Sequence, residues 1–246
     1  MVVKVEMLNL GWMTAARGIW RQGEVEPERP IRLPVPAYLI ETDSERILVD
    51  TGLNPSGAAD RDGHYGQGPV SFFALEQERS LAEQVDFGSL TKVVLTHLHF
   101  DHAGGLETIP DSVPVIVQRA EWEAGRERAA IERNFLLPRD YEGLGREPVL
   151  VDGDHDLLGD GSVLLLSTPG HTPGHQSVQI GEQLVLGIDV GLFDQSLDDL
   201  RFPSFADDFE AQRRSAERLR GLRDAGLTVR PGHDPDVLRA GPVAVG

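Results

Sequence analysis

Thr96-His97-Leu98-His99-Phe100-Asp101-His102-Ala103-Gly104-Gly105 decides how this chain is read. Three histidines and one aspartate fall between positions 97 and 102, behind the strand-like run Val93-Val94-Leu95 and ahead of a Gly-Gly turn. In an extended segment, residues i and i+2 point the same way, so the His97 and His99 imidazoles can meet one metal. Asp101 and His102 lie past the bend and can face a second point. The spacing suits two adjacent metals better than one, since a single catalytic zinc needs only three protein ligands. Four such groups so close together are hard to bury without a metal and wasteful to expose.

Working outward, further candidates lie downstream, each at the exit of a strand-like run. His171 sits in Ser167-Thr168-Pro169-Gly170-His171-Thr172-Pro173-Gly174-His175, Asp189 follows Leu184-Val185-Leu186-Gly187-Ile188, and His233 lies in Arg230-Pro231-Gly232-His233. Loops at element ends are where binding groups collect. His175 reads as a structural neighbour, and the lone His64 and His155 as surface or loop residues.

The rest of the chain alternates strands and helices, an α/β pattern. Residues 2–8 read as a first strand and residues 17–34 as a loop. Residues 34–41 and 46–50 form a hairpin across Thr42-Asp43-Ser44-Glu45, ending beside Asp50 at a Thr51-Gly52 turn. The Gly-rich loop 53–70 is a candidate substrate lid, and 71–86 is expected to be helical behind Ser71. Strands are expected at 91–96, 113–117, 149–151, 162–167, 176–180, 183–186 and 227–229, and a helix over 119–133. The 134–148 stretch reads as irregular. The clearest helix spans 207–225, capped by Asp207 or Asp208, with Phe209, Ala216, Leu219 and Leu222 on one face and Gly226 closing it. Each half shows strands, a ligand-bearing loop, then a helix.

Composition narrows the chemistry. At 246 residues and 40% hydrophobic, the chain supports a sizeable core, and we read residues 1–246 as a single domain. No cysteine is present, which excludes disulfides, thiolate nucleophiles and Cys-ligated zinc. A net charge of −17 argues against a nucleic-acid partner. No apolar run approaches the roughly 18 residues of a membrane span. The start, Met1-Val2-Val3-Lys4-Val5-Glu6-Met7, lacks the pattern of a secretion signal, so a cytoplasmic location is expected.

The run His97-x-His99-x-Asp101-His102, with His171, Asp189 and His233 following in order, resembles the metallo-β-lactamase superfamily. The resemblance extends from Val49-Asp50-Thr51-Gly52 to His233. It implies a four-layer αβ/βα sandwich with a dinuclear site at one edge. His97, His99 and His171 would hold one divalent metal, and Asp101, His102 and His233 the other, with Asp189 bridging. Zinc is the expected metal. Two such metals clamp a shared hydroxide that attacks a carbonyl, with Asp101 as proton shuttle.

Within the superfamily the wording around His97–Gly105 and Thr168–Ser177, and the Leu33-Pro34-Val35-Pro36 segment, resemble N-acyl-homoserine lactone lactonases most. This implies a small-molecule lactone or ester as substrate and, weakly, a homodimer. The alternative is another ester-like bond on the same site: phosphotriester, aryl ester, thioester or β-lactam. Those lactonases carry a tyrosine three residues after the bridging aspartate, where this chain has Leu192, then Phe193. Leu192, Phe193, Phe72 and Phe73 are expected to line the substrate cavity, with Tyr65 or Tyr141 taking the tyrosine's place.

Overall fold

A computed structural model describes residues 2–143 and 145–244. Met1, Leu144, Val245 and Gly246, which fall within the domain and the irregular 134–148 stretch read above, lie outside the described residues. In chain order the strands are β1 (Val2–Ala16), β2 (Pro30–Thr42), β3 (Arg46–Val49), β4 (Ala74–Glu76), β5 (Lys92–Val94), β6 (Val115–Gln118) and β7 (Val149–Val151). Then follow β8 (His155–Asp156), β9 (Val163–Ser167), β10 (Gln176–Ile180), β11 (Leu184–Ile188), β12 (Thr228–Pro231) and β13 (Gly241–Val243). They form an 8-stranded sheet, ordered β13-β1-β2-β3-β5-β6-β7 with β4 beside β1, and a 5-stranded sheet, β12-β11-β10-β9-β8.

Strand alternation divides the apolar residues between layers. Along β3, Ile47 and Val49 face the second sheet, while Leu48 faces the outer layer with Leu39, Val93 and Leu95. Along β11, Leu184, Leu186 and Ile188 face the first sheet, and Val185 faces outward. Three cores result: outside the first sheet, between the sheets, and outside the second. Helices fill the outer layers. Trp122 and Ile131, from helices Arg119–Ala124 and Arg128–Asn134, pack outside the first sheet. Ala216 and Leu219 of helix Phe209–Asp224 pack outside the second. This is the αβ/βα sandwich expected from the resemblance. Among the described residues, no helix is long and apolar enough to cross a membrane.

Strand direction gathers the site at one edge. β3, β5, β6 and β7 run parallel, so Asp50 and His97 leave their strands at the same end. In the second sheet β9 and β11 are each antiparallel to β10, and β12 is parallel to β11. The segments carrying His171, Asp189 and His233 therefore leave together. Gln176 joins the two ends: its N–H donates to the Thr96 carbonyl at 3.0 Å and its side chain donates to the Leu95 carbonyl at 2.8 Å.

Local expectations differ in five places. β1 continues to Ala16 because Gly11, at φ +143°, lets it bulge and go on pairing with β2. Residues 17–34 hold the short helix Arg17–Trp20 before β2 begins at Pro30. The stretch 71–86 is not helical: Ala74–Glu76 pairs with the β1 edge at Trp12–Thr14, and only one 3₁₀ turn, Leu81–Glu83, follows, boxed by Ser80 and Glu83. The helix over 119–133 breaks at Gly125, where a Cβ would lie 2.6 Å from Leu98 Cδ1. In helix Phe209–Asp224, Asp208 is the cap and Phe209 is exposed, whereas Gln212 and Ser215 join Ala216 and Leu219 on the buried face.

Candidate metal centre

His97, His99, Asp101, His102, His171, Asp189 and His233 converge, all buried. They fall into two groups. In the first, His99 Nδ1 lies 3.0 Å from both His97 Nε2 and His171 Nε2. In the second, His102 Nε2 and His233 Nε2 are 3.3 Å apart, each 3.5 Å from Asp101 Oδ2. Asp189 stands between. Its Oδ2 is 3.2 Å from His171 Nε2 and its Oδ1 is 3.2 Å from His233 Nε2.

The partners behind the rings decide where the protons are. His99 Nε2 faces the Asn134 carbonyl at 2.8 Å, and His233 Nδ1 faces the Pro34 carbonyl at 2.8 Å; a carbonyl only accepts, so both nitrogens carry the hydrogen. His102 Nδ1 donates to Asp50 Oδ2 at 2.8 Å. The Thr96 hydroxyl also donates to Asp50 Oδ2, so it accepts from His97 Nδ1 at 3.1 Å. In its neutral form, each of these four rings therefore turns an unprotonated nitrogen into the site. Lone pairs 3.0 Å apart repel unless a cation lies between them. Asp189 Oδ1 likewise has no hydrogen-bond partner. Four buried imidazoles oriented from behind, together with His171 and the two carboxylates, form a donor set that fits divalent metals.

Charge separates the two groups of rings: burial keeps His97 and His99 neutral, whereas at His102 and His233 burial is overcome by the surrounding carboxylates, which favour a proton on those two. Burial, then the neighbouring His102 and His99, holds His97 well below the usual histidine range. Burial and His171 push His99 down to about 4. Burial opposes the Asp189 anion, but His233 and His102 keep its carboxyl well below the usual carboxylate range. Burial also opposes charge on His102, yet Asp101, Asp189 and Asp50 raise it. A proton and a metal compete for that Nε2.

Several residues support the ligands from behind, and of these Glu121 and Gln212 carry no signal in the sequence. Asp50 accepts from Thr96 N–H and its hydroxyl, each at 2.8 Å, and orients His102 from a left-handed backbone at φ 64°. Only its place beside the Thr51-Gly52 turn hinted at a role. Glu121 accepts from Leu98 N–H at 2.9 Å and Gly174 N–H at 2.8 Å, tying together two ligand loops. Gln212 donates to the Asp189 carbonyl at 3.1 Å. His175 is structural: its Nδ1 donates to the Thr168 carbonyl and its Nε2 accepts the Asp189 N–H at 3.2 Å. Burial, then His171, pushes its pKa down to about 3, so it stays neutral. Ile188, just before Asp189, adopts φ 52°, a left-handed conformation costly for a β-branched residue.

A cavity of about 340 Å³ opens onto His99, Asp101, His171 and Asp189. Its other walls include Met13, Ile19, Trp20, Val70, Phe72, Phe73, Phe100, Phe135, Leu192 and Phe205. Of the residues expected at it, Leu192, Phe72 and Phe73 line it, and Phe193, Tyr65 and Tyr141 do not. Phe193 turns away beside Arg17 and Arg21. Tyr141 is buried under the Trp122 helix, where its hydroxyl donates to the Gly125 carbonyl at 3.0 Å. Tyr65 sits behind the wall, its ring edge-on to Phe100 and its hydroxyl 3.3 Å from both Asp140 oxygens. His64 packs beside Tyr65, and His155 is exposed on β8, outside the site.

Donors arranged in this way serve hydrolysis by metal-activated water, and the chain is a metal-dependent hydrolase. The family follows from comparison: the metallo-beta-lactamase superfamily model matches residues 30–233, and the chain belongs to that superfamily. An N-acyl homoserine lactonase of Bacillus cereus is 32% identical over 206 residues, 79% of this chain and 78% of that protein. One from Rhizobium radiobacter is 29% identical over 219 residues, 83% of each chain. A solved N-acyl homoserine lactone hydrolase, with the product N-hexanoyl-L-homoserine at its catalytic metal center, superposes with a TM-score of 0.84 at 27% identity, covering 98% of both chains.

Proposed function

We propose that this chain opens lactone rings, including those of N-acyl homoserine lactones, with two divalent metals, zinc by preference, in the paired site. The observation that carries this reading is the apolar cavity that ends on the donor cluster, with neither Lys nor Arg in its lining. Such walls favour a neutral, largely apolar substrate. They offer no cation to the carboxylate of a β-lactam or of a glutathione thioester.

His97, His99 and His171 would hold one metal, Asp101, His102 and His233 the other, with Asp189 spanning them. When bound, the metals supply an acidified water and a polarised carbonyl. The chain's own residues do the rest. The aromatic walls hold the side arm and keep bulk water from it. Asp50, Pro34, Thr96 and Asn134 fix the imidazole tautomers. Asp101 faces the cavity and carries a proton to the ring oxygen as it leaves. One water adds, the ring C–O bond breaks, and the products are a hydroxyl, a carboxylate and a released proton.

The test is a panel of N-acyl homoserine lactones, simple γ- and δ-lactones, a phosphotriester and a β-lactam with the metal-loaded protein. Lactone opening is expected to dominate. Inert lactones alongside efficient cleavage of another class would overturn the reading. Asp189→Ala is expected to lose bound metal and turnover together; retention of both metals with full activity would remove its bridging role.

A further inference from the structure

His171 differs from the other four candidate imidazole ligands. Its Nδ1 is buried and has no hydrogen-bond partner among the described residues. No acceptor behind the ring orients it, so its main chain must. The His171 carbonyl accepts from Asp207 N–H at 3.2 Å, and the Gly170 carbonyl accepts from Asp208 N–H at 3.0 Å. Asp207 also reaches a ligand carried by the first sheet. Its Oδ1 accepts from Asn134 Nδ2 at 3.2 Å, inside an exposed pair with Arg133 Nε at 2.9 Å. Asn134 is buried at the end of helix Arg128–Asn134, where Phe135 turns left-handed at φ 56°. A carbonyl at a helix end has no partner within the helix, and this one takes the His99 Nε2 hydrogen at 2.8 Å.

We infer that Asp207 is a positioning residue for one of the two metals and not for the other. Through Asn134 on one side and its own N–H on the other, it holds His99 and His171 at one separation. The links His99–Asn134–Asp207–His171 close into a ring across the 3.0 Å gap between His99 Nδ1 and His171 Nε2. The other pair takes its support elsewhere, His102 from Asp50 and His233 from the Pro34 carbonyl. A fault at Asp207 therefore reaches one site selectively. The inference rests on the two-metal reading above and adds a residue that reading does not use.

Cadmium-113 NMR on the metal-free protein, reloaded with cadmium alone, reads the two sites separately. Wild type is expected to show two resonances, and the one lost in His171→Ala marks the His99–His171 site. Competition against a chelator then gives each affinity. Asp207→Ala is expected to weaken the marked site by about 10- to 100-fold and to leave the other within about twofold. Asp207→Asn keeps an acceptor oxygen for Asn134 and is expected to recover most of the loss. Asn134→Ala cuts the same link from its other end and should weaken the same site. Unchanged affinities, or a loss shared equally by both sites, overturn the inference and leave the two-metal reading standing. A wild-type protein that binds fewer than two cadmium ions overturns the two-metal reading and this inference with it.

Discussion

Replacing Glu121 by glutamine tests whether one buried carboxylate ties two histidine-bearing loops together. Glu121 is 0% exposed. Oε1 accepts from Leu98 N–H at 2.9 Å, between His97 and His99, and Oε2 accepts from Gly174 N–H at 2.8 Å, beside His175. Glutamine keeps the size but has one acceptor oxygen, so its NH₂ must face one of the two N–H groups. Losing a charge-assisted bond and stranding a buried donor costs about 2–4 kcal/mol. Part of this is offset, because burial disfavours the carboxylate and pushes its pKa up. The net is about 2 kcal/mol, a fall of roughly 4–8 °C in Tm for a chain of this size. The loops should also hold metal less well, by about 10- to 100-fold for a lost orienting partner. Urea unfolding at fixed metal saturation gives the first quantity, and metal content after dialysis against a weak chelator the second. Unchanged stability together with unchanged metal affinity would refute the reasoning.

Gly232→Ala should disturb the site without unfolding the chain, since its Cβ would lie 2.4 Å from Asp189 Oδ1. Reduced metal content with an unchanged circular dichroism spectrum is expected; full metal content and activity would show that Asp189 has freedom to yield. Gly221→Ala is the opposite case, with open space around the new Cβ on the exposed face of helix Phe209–Asp224. It should gain about 0.5–1 kcal/mol in urea unfolding, and a loss would contradict the packing described. Asp140→Asn should stabilise increasingly as pH rises. Burial pushes the Asp140 carboxyl from 3.8 up to about 7, against the Tyr65 hydrogen bond and Arg139, and with help from Glu107 and Asp101. Between those values the unfolded chain releases a proton that the folded chain keeps, so wild-type stability falls with pH until the folded carboxyl ionises. Two pH units of that window, from pH 5 to 7, amount to about 2.7 kcal/mol between variant and wild type. A pH-independent difference would mean that the carboxylate is held ionised.

The part of the site legible in the sequence was the part carried by residue type at close spacing. His97, His99, Asp101 and His102 announce themselves, and His171, Asp189 and His233 stand at strand exits. Strands in the second sheet were also plain, because Val178-Gln179-Ile180 alternates apolar and polar and Leu184–Ile188 is a short apolar run, with the Gly181-Glu182 turn between them. What stayed hidden depends on distant partners. Residues 71–86 look helical locally, yet the open edge of β1 captures Ala74–Glu76. Glu121 and Gln212 look like ordinary helix-surface residues, and only tertiary contact makes them buried acceptor and donor. Tyr141 looked available because loops usually face water, but its hydroxyl is spent on Gly125.

His97, His99, Asp101 and His102 belong to the first sheet's edge, and His171, Asp189 and His233 to the second's. Metals shared between them would cross-link the two halves of a chain that has no cysteine to do so. Such a fastening ignores redox poise and obeys metal supply instead. At a free metal concentration a thousandfold above Kd, a site bound only by the folded state adds about 4 kcal/mol. The amount of folded protein in a cell would then follow its metal quota, and starvation for the ion would remove the enzyme as well as its activity.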